Sequence, residues 1–175
     1  MENKRYFSVP LPSDLELLGD GPSFQNTLCG MLTKAKGFED FEQPELLFLA
    51  KHMKAYRVPK GGTIFREGDR NSYFSVLVEG RIGVYKEDSS DEVKLLNDIL
   101  QGSIFGEISV IDDLPYSASL VADSDATIVL MSRESFRKCI NENPIIGVRL
   151  LNLIAHLLCA RLRSVSGQLV DYIDA

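Results

Sequence analysis

The chain has 175 residues, 45% hydrophobic and 25% charged, enough for one globular domain with a real core and an appendage. A net charge of −6 and an isoelectric point near 5.0 argue against a general surface for nucleic acid or anionic membrane, both of which recruit positive charge. The opening residues hold no apolar run fit for a signal peptide, and no stretch approaches ~18 consecutive apolar residues, so no membrane span is expected.

Residues 1–30 read as an extended N-terminal arm, broken by Pro10, Pro12, Gly19, Gly21 and Pro22, with a short helix around Ser13 to Leu18. Glu42 to Tyr56 places Leu46, Leu47, Leu49, Ala50 and Met53 on one helical stripe, with Pro44 in its first turn. The middle of the chain is strand-like. Lys60-Gly61-Gly62 and Glu67-Gly68-Asp69 are turns around Thr63 to Phe65. Tyr73 to Val78 and Ile82 to Tyr85 flank Glu79-Gly80-Arg81, the pattern of a hairpin, and burial is expected to alternate along Tyr73 to Val78. Val93 to Leu96, Ile104-Phe105, Ala118 to Ala122 and Ala126 to Met131 complete the set. Short strands separated by glycine turns predict a mainly β protein with flanking helices, a β jelly roll or barrel. The domain organisation reads as the arm at 1–30, the jelly roll with its helices at 31–143, and a C-terminal helix at 144–175.

A short helix is predicted over Arg133 to Asn141. Asn143-Pro144 then supplies an N-cap and a first-turn proline for a long helix to Ser164 or beyond. That helix carries two apolar stripes, Leu151, Ile154, Leu158, Leu162 and Val165 on one side, and Ile146, Leu150, Leu153, Leu157 and Ala160 on the other. A surface helix needs one apolar face. The second face predicts a homodimer through Leu151, Ile154, Leu158 and Leu162 or the neighbouring stripe.

Cys29, Cys139 and Cys159 form no CxxC pair and read as reduced thiols of a cytoplasmic protein, with Cys139 and Cys159 packed in the core. The two histidines, His52 and His156, lie far apart on predicted helices, so no metal site is expected. No P-loop, Rossmann or Gly-x-Ser-x-Gly fingerprint occurs, and no catalytic residue is named. The most informative stretch is Phe105 to Ala122. Gly106 permits close backbone approach, and a helix opening at Glu107 aims N–H groups at an anion. Yet no Lys or Arg occurs from Leu95 to Ser132, while Asp98, Glu107, Asp112, Asp113, Asp123 and Asp125 are acidic. The stretch has the form of an anion cradle without a cation.

Ile64-Phe65-Arg66-Glu67-Gly68-Asp69, Tyr73 to Tyr85, and Gly102-x-x-Phe105-Gly106-Glu107 together resemble the cyclic nucleotide-binding domain family, over roughly Phe38 to Arg163. The resemblance implies a jelly roll flanked by helices and a ligand cassette of Phe105, Gly106, Glu107, Ile108, Ser109, Tyr116, Ser117 and Ala118. In that family a glutamate matching Glu107 accepts from the ribose 2′-hydroxyl, and an arginine within Pro-Arg-Ala-Ala or Arg-Ser-Ala pairs with the phosphate. Pro115-Tyr116-Ser117-Ala118 occupies that place, so Tyr116 stands where the arginine is expected. A tyrosine donates one hydrogen bond and no charge, whereas arginine offers a charged fork. Arg81 is one residue that could reach in as a substitute, and Tyr116 is as suited to filling the cavity with its ring as to touching a ligand.

The resemblance therefore implies a non-enzymatic sensor or regulatory module, dimeric and without a resident cofactor, that acts on a protein partner through its C-terminal helix. Some family members carry a DNA-reading helix pair after the long helix, but Ala175 follows soon after Val165, so none is expected and no nucleic acid is expected as partner. Two rivals stay open: a genuine receptor for cyclic AMP or cyclic GMP with a non-standard phosphate site, and a jelly-roll enzyme of the cupin kind, which needs clustered metal ligands.

Overall fold

The computed structural model describes residues 13–173 other than Asn71 and Asp91, with side chains as far as Gly167. The part of the expected arm before Ser13 lies outside these residues. The chain divides into two compact units with the boundary between Phe136 and Arg137.

The first unit opens with a strand. β1 (Glu16–Asp20) pairs antiparallel with β2 (Lys54–Val58), where a short helix around Ser13 to Leu18 was expected. Pairing with an open strand edge satisfies its backbone more fully than one helical turn can, because isolated turns close few hydrogen bonds. Gly19 makes room beside it, since a Cβ there would lie 2.6 Å from the Phe24 ring. A helix that the arm did not anticipate follows, α1 (Gln25–Leu32), with Leu28, Cys29 and Leu32 buried. α2 (Gln43–Ala50) starts at a box in which Glu42 N–H donates to Glu45 Oε2 at 2.8 Å. It ends at Ala50, earlier than its apolar pattern predicts, because Lys54 to Val58 is recruited into the sheet as β2.

The remaining strands are β3 (Thr63–Phe65), β4 (Tyr73–Glu79), β5 (Arg81–Glu87), β6 (Val93–Leu100), β7 (Ile104–Phe105), β8 (Ser119–Ala122) and β9 (Ala126–Ser132). They form two antiparallel sheets, β1-β2-β9-β4-β7 and β3-β8-β5-β6. Val58, Leu77, Phe105 and Ile128 from the first meet Ile64, Ile82 and Leu120 from the second in one apolar core. This is the expected jelly roll.

Two local expectations fail for a shared reason. β4 and β5 do not pair as a hairpin; the chain passes from one sheet to the other at Gly80. Gly80 has φ 96°, and a Cβ there would sit 2.5 Å from the Asp125 carbonyl oxygen, so only glycine fits the crossing. Burial does not alternate along β4 either, where every residue from Phe74 to Val78 is buried. Leu77 points into the core between the sheets, while Phe74 meets Phe38 on the other side, rings 6.4 Å apart. A central strand covered on both faces reads as a continuous apolar run.

α4 (Arg133–Glu142) spans the boundary, and α5 (Pro144–Ile173) forms most of the second unit. Asn143 Oδ1 accepts from Ile146 N–H at 3.2 Å, the expected cap. Gly147 lets α5 pass close to α4, since a Cβ there would meet Ile140 at 2.9 Å. Pro144–Gly167 is long and apolar enough, by length and composition alone, to cross a membrane. Its apolar residues divide differently from the two stripes read in the sequence. Ile146, Leu150 and Ile154 are buried, whereas Leu151, Leu162 and Val165 are exposed. Ile154, expected at a dimer seam, thus shares the buried side of the helix. Cys139 is buried, which pushes its thiol up to about 11, while Cys159 is exposed rather than packed in the core. His52 falls in the turn after α2 with its ring 5.1 Å from that of Phe48, and His156 is exposed.

Candidate functional site

The cassette starts where β7 ends. Gly106 takes φ 75°, and a Cβ there would lie 2.4 Å from the Tyr73 carbonyl oxygen, a rigid neighbour. That position admits glycine alone. The turn it makes launches α3 (Glu107–Asp112), which ends at Asp113, also left-handed at φ 64°. Phe105 is buried under the turn, and Glu107 is fully buried at the first position of the helix. Ser109 Oγ donates back to the Gly106 carbonyl at 3.0 Å, and Ile108 faces solvent. Burial of these groups follows from the sheet behind them, which the short helix lies against at β4.

Tyr116 points inward. Its ring lies 4.2 Å from that of Phe65 at an interplanar angle of 13°, and Phe65 packs in turn on Phe105 and Tyr73. Its hydroxyl accepts from Tyr73 N–H at 3.1 Å and hydrogen-bonds Ser109. Its own N–H donates to the Asp69 carbonyl at 3.0 Å, and its carbonyl accepts from Gly68 N–H at 2.9 Å. The ring stack and two hydroxyl bonds fix the side chain, and the two backbone bonds tie its loop to Gly68 and Asp69. Burial pushes its ionisation well above that of an ordinary phenol, so it is neutral. Ser117 is exposed and Ala118 half-buried, at the rim.

The segment from Leu95 to Ser132 contains no cation, but the fold brings two to it. Lys86 on β5 donates to the Ser117 carbonyl and to Glu67 Oε1, each at 2.7 Å. Arg133, at the start of α4, donates to the Ser109 carbonyl and pairs with Asp113. Arg81, the substitute considered from sequence, instead pairs with Asp123 at 3.9 Å. Arg133 carried no signal in the sequence, and Lys86 carried only a weak one. Each became a neighbour of α3 or its following loop only through sheet pairing and chain return. A strand alternation offers one late clue: Ile82 and Val84 face the core, so Lys86 follows on the same face.

Among the described residues no group of three or more His, Cys, Asp or Glu is placed to hold a metal ion. What the site offers is a buried carboxyl on a glycine-built turn, an inward tyrosine, and a lysine at the rim.

Comparison with known proteins agrees with this geometry. The cyclic nucleotide-binding domain family matches residues 56–143, just over half of the chain. A CRP-like cAMP-activated global transcriptional regulator of Mycobacterium tuberculosis is 27% identical over 82% of this chain, which spans 62% of that protein's length. A cAMP-dependent protein kinase regulatory subunit of Aspergillus niger is 32% identical over 51% of this chain and 21% of its own. The crystal structure of a cyclic nucleotide-binding domain from Methylobacillus flagellatus superposes with a TM-score of 0.76 at 29% identity, covering 86% of this chain and 85% of that one. A jelly roll of this strand order, a Phe-Gly-Glu turn into a short helix, and a family match across both place the chain in the cyclic nucleotide-binding domain family.

Proposed function

We propose that this chain is a non-enzymatic sensor module whose phosphate cassette is closed from within by Tyr116, and which controls a protein partner through α5. The observation that carries the reading is the position of Tyr116. The residue that the resemblance sets in place of a phosphate-pairing arginine is stacked on Phe65 and tied to Tyr73 N–H. It presents no charge to a ligand. Losing one partner of a desolvated charge pair costs ~2–5 kcal/mol, roughly 30-fold to several thousand-fold in affinity. Cyclic AMP and cyclic GMP therefore bind weakly.

The names of the relatives, an activated transcriptional regulator and a kinase regulatory subunit, support a regulatory role. The mechanism is population shift, in which whatever prefers one placement of α5 biases it. The exposed Leu151, Leu162 and Val165 give α5 an apolar face for a second copy.

Titration calorimetry with cyclic AMP and cyclic GMP tests the cassette, using the wild type and Tyr116→Arg. Weak binding by the wild type and a gain in Tyr116→Arg are expected, alongside lower stability because the ring on Phe65 is lost. Submicromolar binding by the wild type would overturn the closed cassette.

A further inference from the structure

Lys86 and Glu67 form a pair whose placement is unusual for a surface ion pair. On β5, Ile82 is fully buried in the core and Val84 packs against that core. The strand continues to Lys86 with the same alternation, because the irregularity beside Val84 adds its extra residue to β6, and pairing with β8 stays in register through Tyr85. Tyr85 confirms the opposite face, since its hydroxyl donates to Asp123 Oδ1 at 2.9 Å on the side of Gly83. The row facing the interior thus ends in an ammonium. That ammonium reaches across two segments, to Glu67 after β3 and to the carbonyl of Ser117 in the loop after α3. Glu67 N–H in turn donates to Ser119 Oγ at 3.0 Å, which keeps the carboxylate's backbone beside β8. The Lys86 and Glu67 side chains are 44% and 36% exposed, so water and solutes reach both.

We infer that Lys86 is the cation of an anion subsite in this module, and that Glu67 is its internal competitor. An anionic phosphate group binds by displacing the Glu67 carboxylate from Lys86. Charge decides the chemistry. The resting pair is neutral, and one carboxylate is exchanged for one phosphate oxygen of similar hydrogen-bonding geometry. Glu67 can leave, because an exposed pair is held weakly and its side chain gains water in place of the lysine. The ammonium keeps the Ser117 carbonyl throughout, so the bound anion is fixed against the cassette loop. The inference rests on the reading that the cassette closed by Tyr116 still takes cyclic nucleotide weakly. It also accounts for weak rather than absent binding: the cation is present but already occupied.

The full-length chain is titrated with cyclic AMP, inorganic phosphate and neutral adenosine, as wild type, Glu67→Gln, Lys86→Gln and the double variant. All the changes lie at exposed side chains, and circular dichroism checks the fold. Glu67→Gln is expected to tighten cyclic AMP by about three- to fivefold, the scale of an exposed ion pair. Lys86→Gln is expected to weaken it similarly, and the double variant to show no gain. Adenosine, without charge, should respond to neither. Competition by inorganic phosphate in Glu67→Gln would assign the subsite to the bare anion, and cyclic AMP alone would assign it to the nucleotide; both support it. Equal binding by Lys86→Gln and wild type, a parallel change with adenosine, or no binding by any variant would overturn it. The two proposals fail separately. A gain in Tyr116→Arg with no effect at Lys86 removes only this subsite, and submicromolar wild-type binding that Lys86→Gln abolishes removes only the closed cassette.

Discussion

Removing one oxygen atom from Tyr116 tests whether the cassette is held shut from inside. Tyr116→Phe keeps the ring and its stack on Phe65 at 4.2 Å, but deletes the acceptor for Tyr73 N–H and the partner of Ser109. Tyr116 is 8% exposed, so water does not readily replace the lost oxygen. A buried donor left without its acceptor costs about 1–3 kcal/mol. Tyr116→Ala also removes the ring from the core and costs about 3–5 kcal/mol, the range for a buried aromatic. Urea unfolding followed by fluorescence or circular dichroism reads both. With a slope of about 1–3 kcal/mol per molar, Tyr116→Phe should lower the midpoint by on the order of 1 M with the slope unchanged. The ordering wild type, Phe, Ala is the essential result. A loss below about 0.5 kcal/mol for Tyr116→Phe together with one below about 1.5 kcal/mol for Tyr116→Ala would mean that the side chain is not locked in the core, and the closed cassette would fall with it.

Gly106→Ala should destabilise the fold by more than about 1 kcal/mol, because the left-handed backbone and the Tyr73 carbonyl at 2.4 Å both refuse a Cβ; denaturant unfolding measures it, and a neutral result would show that the turn relaxes freely. The chain should sediment as a dimer, and Leu162→Arg, which places a charge on an exposed apolar position of α5, should shift it toward monomer; a wild-type monomer at roughly tens of micromolar would refute this. Stability should fall as pH rises beyond about 10. Burial raises the ionisation of Tyr116, Tyr73 and Tyr56 in the fold, so above the ordinary phenol value the unfolded chain loses protons that the folded chain keeps. Below that value the contribution is fully present. Urea midpoints across alkaline pH should decline less steeply in Tyr116→Phe, and parallel declines would show that Tyr116 is not among the groups responsible.

Local chemistry in the sequence determined much of this protein. Glycine-separated β runs gave the jelly roll, Asn143-Pro144 marked the start of α5, and the three ordered motifs marked the family. These features rest on short-range physics: side-chain periodicity, capping and the freedom of glycine. Gly106 is of this kind in part: close backbone approach is legible in the sequence, whereas the left-handed turn and the Tyr73 carbonyl that demand glycine belong to the fold. The tertiary structure decided everything that depends on partners distant in the chain. Residues 16–20 became a strand because the edge of β2 was open to them, and β4 lost its alternation because Phe38 and its neighbours cover the second face. A charge count along the cassette found no cation, but Lys86 and Arg133 arrive there from outside the counted segment, through sheet pairing and the return of the chain into α4. Which way Tyr116 turned was likewise undetermined by its identity. Phe65 and Tyr73 N–H, more than forty residues away along the chain, turn it inward by offering its ring a stacking surface and its hydroxyl a donor.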